Sequence, residues 1–276
     1  HIEVGWGDCI LVGGVESMSR IQRRGFNWSP SPELENKFPD AYVGMGKTAE
    51  NVAKAWNQTR LQHEEFALSS HKKAASAQSK GLLVNEIAKI QSDDGIITED
   101  GCIRGDTNLE SMAKLNPAFG DDGVVTAATS SPLTDGAVFM IVCSEDFAEK
   151  NRLNPIARIV AGAVTGCAPD MMGIGPIKAT REVLRRANWN IDDVDLFELN
   201  EAFSSQSLAV IDDLEINPEI VNLHGGALAI GHPLGASGAR ITGKAASLLQ
   251  STDSKRAVAT MCIGGGMGIS IALEKM

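Results

Sequence analysis

The sequence predicts an α/β protein: a duplicated unit with helix-covered sheets and a loop-rich insertion in its first copy. Three observations carry this. From Ala157 onward, short apolar segments alternate with amphipathic helical ones, the pattern of a mostly parallel sheet under helices. The end of the chain echoes its beginning, since Cys9–Val12 with Gly13-Gly14 resembles Ala257–Met261 with its glycine cluster. Asp135-Gly136 before an apolar strand likewise resembles Met267-Gly268 before another. Between the echoes, a long stretch loses the alternation and is punctuated by Pro30, Pro32 and Pro39. The expected division is 1–14 with 124–150 as the remainder of the first unit, 15–123 as a loop domain, and 154–276 as the complete second unit.

The elements follow in order. Cys9–Val12 is a strand that should stop at Gly13-Gly14. Thr59 and Gln62 have capping-box spacing and open a helix through Phe66, Ser70 and Ala74, which Gly81 can end. Glu86–Ile90 and Ile96-Ile97 could be small strands. Val124–Thr126 should be a strand, as should Val138–Val142, and Asn151–Pro155 a linker. The strand Ile159–Val164 precedes a helix opened by Gly175-Pro176, with proline suited to the first turn. Leu196–Leu199 is a strand, 201–214 a helix and Ile220–Leu223 a strand. A glycine-rich turn follows, then a helix over 238–249. Ala257–Met261 and Ile269–Leu273 are the last strands.

Bulk properties exclude several classes. The chain has 276 residues, is 43% hydrophobic and carries a net charge of −10, which argues against a nucleic-acid partner. No apolar run is long enough to span a membrane. The five cysteines, Cys9, Cys102, Cys143, Cys167 and Cys262, form no zinc pattern. They suggest a reducing compartment, with most of them buried as small hydrophobes. A cytoplasmic location is expected, with no cofactor and no metal. Arg20, Arg23, Arg24, Lys47, Arg104 and Lys114 are scattered through the insertion and are mostly solvated surface.

Chemistry concentrates at strand ends, where open α/β sheets bind ligands. Asn200-Glu201-Ala-Phe203 follows one strand, Gly231-His232-Pro233 a second, and Cys262-Ile-Gly264 a third. His232 can move a proton near neutral pH, Cys262 can serve as acid, base or nucleophile, and Asn200 with backbone N–H groups can hold an oxyanion. Each also has a plain structural reading: Cys262 as core packing, Asn200 as a helix cap, Glu201 as a favourable first-turn charge. Three such groups at matching strand ends favour acyl transfer or enolate chemistry.

Five motifs in order carry a family resemblance. Gly13-Gly-Val-Glu-Ser-Met-Ser19, Thr48-Ala-Glu-Asn-Val-Ala53, Asn200-Glu-Ala-Phe203, the glycine–histidine stretch from Gly225 to Arg240, and Met261-Cys-Ile-Gly-Gly-Gly-Met-Gly268 resemble those of the thiolases from Asp8 to the C-terminus. The resemblance implies the duplicated thiolase fold with mixed sheets. Its loop domain would cover coenzyme A, and its activity would be thiolytic cleavage of 3-ketoacyl-CoA or the reverse Claisen condensation. It implies that Cys262 moves a proton at the α-carbon of acetyl-CoA. His232 would activate the nucleophile and bind a thioester oxygen, and Asn200 would hold a water in the same oxyanion hole. Gly264 would lend its N–H to a second hole. Arg104, Ser111, Phe119, Ser131 and Phe203 would contact coenzyme A. Acyl-CoA molecules are the implied partners, within a homodimer or homotetramer, without nucleic acid or membrane.

Two departures qualify the likeness. The family's nucleophile lies in a Cys-containing segment at the head of a helix before the Gly-Gly-Val-Glu-Ser strand, and none occurs here. Cys9 sits within that strand. The first half is therefore expected to be incomplete, lacking on the order of 100 residues, and the chain alone to be inactive and unable to fold unaided. In addition, Tyr42-Val-Gly-Met45-Gly46 lacks the Tyr-His-Met pattern of acetoacetyl-CoA thiolases, which favours the degradative 3-ketoacyl-CoA type. Acetoacetyl-CoA thiolase and a non-catalytic CoA-binding fragment are the alternatives. Asn116 replaces a usual basic residue, which puts one coenzyme A contact in question.

Overall fold

The computed structural model describes residues 1–21, 25–93 and 95–276. Arg23 and Arg24 lie outside the described residues. Strand β1 (Cys9–Ser17) runs through Gly13-Gly14 instead of stopping there, because every residue pairs antiparallel with β4 (Asp135–Cys143), from Cys9↔Cys143 to Ser17↔Asp135. The insertion between them holds α1 (Pro32–Lys37), α2 (Met45–Ala55), α3 (Arg60–Ser79), the hairpin β2 (Ile90–Ser92) and β3 (Gly95–Ile97), and α4 (Leu109–Ala113). The capping box opens α3 as its spacing predicts: the Gln62 N–H donates to Thr59 Oγ1 at 3.3 Å, and the Thr59 N–H to Gln62 Oε1 at 2.7 Å. Gly81 follows with φ +70°. Val124–Thr126 is not a strand. The Val124 and Val125 N–H groups donate to the Glu50 carboxylate on α2 instead of to a neighbouring strand.

After α5 (Glu145–Lys150), the second unit runs β5 (Ala157–Gly166), α6 (Gly175–Ala187), β6 (Leu196–Leu199), α7 (Ser204–Asp213), α8 (Ala227–Ile230), α9 (Leu234–Ser251), β7 (Arg256–Ile263) and β8 (Met267–Lys275). The sheet order is β5-β8-β7-β6. Only β6–β7 is parallel, while β5–β8 and β7–β8 are antiparallel, so the sheet is mixed and not mostly parallel. Ile220–Leu223 forms no strand. A single turn, Pro218–Ile220, leads to one bridge from Val221 to Phe197.

Side-chain alternation places the core on both faces of this sheet. Phe197, Leu199 and Val258 join Val183, Leu184 and Val210 of α6 and α7 on one face. Leu196, Ala257 and Ala259 meet Ile241, Leu248 and Leu249 of α9 on the other. Helix α9 also packs against β1 and β4, so one helix serves both sheets. It comes close: a methyl at Gly14 of β1 would overlap the Gly235 carbonyl. The outer face of the β1–β4 ribbon is bare, with Leu11, Val15, Phe139 and Ile141 exposed. Of the five cysteines only Cys262 is buried. Cys9 is exposed and the others are half-buried, because the ribbon and loops that carry them have one open side. No helix among the described residues is long and apolar enough to cross a membrane.

Candidate active site

His232 sits in a short turn between α8 and α9, held from several sides. Gly231 has φ +104°, and its α-carbon lies against Thr134, where a β-carbon would collide. The same Thr134 Oγ1 accepts the His232 N–H at 3.3 Å. Glu16 of β1 accepts the Gly235 N–H at 3.1 Å, an anionic cap on the first turn of α9. Helix α9 begins at Leu234, four residues before the expected start, because Pro233 and this cap fix its first turn.

Two contacts assign the imidazole tautomer. Nδ1 lies 2.6 Å from Ser237 Oγ, whose hydroxyl donates to the Pro233 carbonyl at 3.2 Å. Nδ1 is then the N–H donor to Ser237. Nε2 keeps its lone pair and faces the Asn200 Nδ2 amide at 3.4 Å. Asn200 is fully buried, its backbone fixed by an N–H bond to Thr260 O at 2.9 Å. Its Oδ1 accepts no hydrogen bond among the described residues, so an acceptor remains for a ligand or a water beside the histidine.

Glu201 behaves differently from the expected first-turn charge. Helix α7 starts only at Ser204. Glu201 is buried and accepts from Ser70 Oγ at 2.7 Å, Asn222 Nδ2 at 2.7 Å and the Leu228 N–H at 3.1 Å. It therefore ties α3 of the insertion to the start of the histidine loop. Burial raises its pKa, and these hydrogen bonds oppose the rise.

Cys262 is the penultimate residue of β7, the strand next to β6, whose C-terminal end leads into Asn200. It lies in an apolar cluster with Ala49, Val125, Met172, Ala202 and Phe203, flanked by Met45 and Phe119. Burial pushes its thiol up to about 12, with the nearby Cys167 adding to the rise. At neutral pH it is a neutral thiol, a proton donor in a dry setting. Phe119 and Phe203 meet edge to face with centroids 6.0 Å apart. The Ser131 N–H donates to Ala202 O at 3.0 Å. Gly264 is exposed beyond β7, with Met45 Sδ beside it.

The structure thus joins His232 with Asn200, and Cys262 with Phe119 and Phe203, and sets Ser131 and Gly264 at the edge of that cluster. Arg104 and Ser111 stand apart. The exposed Arg104 donates its N–H to His71 on α3 at 3.1 Å, and Ser111 is engaged in the cap of α4. Sequence reasoning missed Ser237, Thr134 and Glu16. Ser237 alone left a signal, as a hydroxyl one helical turn into the motif that carries the histidine.

Residues 1–146 match the family described as thiolase, N-terminal domain, and residues 153–275 match thiolase, C-terminal domain. The whole chain is 45% identical to a 3-ketoacyl-CoA thiolase of Marinobacter nauticus, of which it spans 72%. It is 41% identical to an acetyl-CoA acetyltransferase of Rhizobium meliloti, of which it spans 74%. The crystal structure of human mitochondrial 3-ketoacyl-CoA thiolase superposes with a TM-score of 0.88 at 37% identity, covering 99% of this chain and 73% of that one. A second structure of the human protein, in complex with CoA, superposes equally well. The chain belongs to the thiolase family.

Proposed function

We propose that this chain supplies the proton-moving half of an acyl-CoA C-acyltransferase site, for cleavage of 3-ketoacyl-CoA to acetyl-CoA and a shortened acyl-CoA or the reverse Claisen condensation. The observation that carries the reading is a neutral buried thiol, Cys262, on the strand beside the Asn200–His232 pair. Cleavage of the C–C bond leaves an acetyl-CoA enolate that needs a proton at carbon and donors at oxygen. Cys262 gives the proton. His232, once its Nε2 has taken up the nucleophile's proton, donates to the oxygen together with the water that Asn200 can hold, and the Gly264 N–H serves the second thioester. The apolar walls of Met45, Phe119 and Phe203 suit the pantetheine arm and acyl chain. Ser131 would complete the coenzyme A site, with Arg104 and Ser111 reaching its outer end. The proposed division keeps 15–123 as the CoA-binding loop domain between 1–14 with 124–150 and 154–276. Gly44 and not histidine precedes Met45 in the sequence, which favours 3-ketoacyl-CoA over acetoacetyl-CoA as substrate. Assembly as a homodimer or homotetramer, a place in fatty-acid β-oxidation and a cytoplasmic location belong to the same proposal.

The nucleophile is a separate matter. Cys9 and Cys143 lie on the ribbon, and Cys167 has its Sγ 3.9 Å from Met171 O. None of the five cysteines stands at the head of a helix before the Gly13-Gly14 strand, where the family resemblance expects the nucleophile, and on that ground we propose that these 276 residues alone do not turn over substrate. Two assays separate the claims. Thiolysis of acetoacetyl-CoA and longer 3-ketoacyl-CoAs should be absent; turnover would place the nucleophile within this chain. Deuterium exchange at the α-carbon of acetyl-CoA in D2O needs only the proton-moving half of the site. It should exceed the uncatalysed rate and vanish in Cys262→Ala. It should also rise about tenfold per pH unit below the thiol's raised value, as the thiolate fraction grows. Exchange that survives Cys262→Ala would overturn the role of Cys262.

A further inference from the structure

Two of the half-buried and exposed cysteines are register partners. Cys9 opens β1 and Cys143 closes β4, directly opposite each other across an antiparallel pair. Partners in such a pair project to the same face, here the bare face that also shows Leu11 and Ile141. Their spacing follows from the next pair along. The Ser144 N–H donates to Asp8 O at 2.8 Å, which makes Asp8 and Ser144 a hydrogen-bonded pair. Cys9 and Cys143 are then the non-hydrogen-bonded kind, where α-carbons approach to about 4.5 Å. That spacing is inside the range a disulfide spans, about 4.4–6.8 Å, at its short end. Both thiols are free in this structure, and Cys9 is open to solvent.

We propose that Cys9 and Cys143 form a reversible cross-strand disulfide, a redox-responsive clasp closing the ribbon that frames the insertion. The oxidant is a small disulfide such as oxidised glutathione. One cysteine thiolate attacks it, forming a mixed disulfide and releasing one thiol. The opposing cysteine then attacks the protein sulfur of that mixed disulfide and releases the second thiol. One disulfide is reduced to two thiols, and the two protein thiols are oxidised to one disulfide. The short spacing and exposure favour a labile bond over a permanent staple. The clasp closes a loop from Ile10 to Val142 and so restricts the unfolded chain. It lies at the opposite end of the ribbon from Glu16, which caps the helix after the histidine loop, so it tightens the ribbon without altering the site.

The test equilibrates the chain with defined ratios of reduced to oxidised glutathione, then counts thiols under denaturing conditions and maps peptides without reduction. Oxidation should lower the free thiols from five to three, remove two hydrogens from the intact mass, link the Cys9 and Cys143 peptides and raise the melting temperature by several degrees. Cys9→Ser and Cys143→Ser should each abolish the linked peptide and the shift in melting temperature. Stable glutathione adducts on both residues without closure, a linked peptide joining other cysteines, or an unchanged thiol count under the most oxidising ratio would each overturn the proposal. The thiol count decides the matter even if a variant folds poorly.

Discussion

Ser237 lies one helical turn past His232, and its hydroxyl decides which imidazole nitrogen carries the proton. It accepts from Nδ1 and donates its own O–H to the Pro233 carbonyl, so the Nε2 side of the ring faces the Asn200 amide. Ser237→Ala removes a side-chain partner in a fully buried place. The ring then loses both its tautomer preference and its orientation. We expect α-proton exchange of acetyl-CoA to fall about fivefold, the scale of one lost neutral hydrogen bond of about 1 kcal/mol. Imidazole 15N shifts should change from one tautomer to a mixture, and Ser237→Thr, which keeps the hydroxyl, should restore both. An alanine variant with unchanged 15N shifts would show that Ser237 only packs. At this scale the meeting of His232 with Asn200 was legible, because imidazole and amide at neighbouring strand ends are a chemical pattern. Glu201 was misread, because its partners Ser70 and Asn222 are far away in sequence and a local rule sees only the first turn.

At the scale of elements, legibility follows how local the causes are. Leu196–Leu199 was read to the residue, since a fully buried strand needs only an apolar run with short bounds. The α3 capping box is equally local: Thr59→Ala should cost about 1 kcal/mol in denaturant unfolding. A change indistinguishable from zero would mean that water replaces the cap. Val124–Thr126 and Ile220–Leu223 were misread because apolar β-prone residues do not choose their partner. Glu50 captures the first pair of N–H groups, and a single bridge is all the second obtains. Strand direction was also invisible, since alternation with helices suits a parallel sheet and only the return through the glycine turn makes β7–β8 antiparallel. The contact of α9 with β1 offers a sharper test. Gly14→Ala drives a methyl into the Gly235 carbonyl, whereas a β-carbon at Gly162 meets nothing nearer than 4.0 Å. Gly14→Ala should destabilise by about 1–3 kcal/mol as overpacking, and Gly162→Ala should be near neutral. Equal effects would mean that α9 can slide.

Across the whole molecule, the insertion and the second unit meet along a polar seam whose protonation sets stability. Lys244 of α9, itself buried, donates to both Glu86 oxygens at 3.0 and 2.9 Å and to His224 Nδ1 at 2.8 Å. Behind it, Glu198 shares the α9 face of β6 with Leu196. Neither of its carboxylate oxygens has a hydrogen-bond partner among the described residues. Burial pushes Glu198 up to about 7. Arg240 and Lys244 oppose the rise, and Glu201 and Glu86 add to it. Asp100 is raised by burial in the same neighbourhood, and His224 is lowered by burial and by Lys244. A folded-state value above the ordinary carboxylate range means that the folded chain holds this proton more tightly than the unfolded one. The contribution is complete below the unfolded value near 4.5 and is lost as pH rises through about 7. Ionised Glu198 then costs about 3 kcal/mol. Wild-type unfolding free energy should fall between about pH 4.5 and about 7, and Glu198→Gln, which holds no titrating proton, should flatten that fall. His224 acts in the opposite sense: its lowered value means that stability is lost on its account as pH falls below the ordinary histidine range, when its charge would face the Lys244 ammonium. Urea titrations at closely spaced pH values on both proteins decide the point. Parallel curves for wild type and Glu198→Gln would mean that Glu198 is already ionised in the folded seam and held there by Arg240 and Lys244.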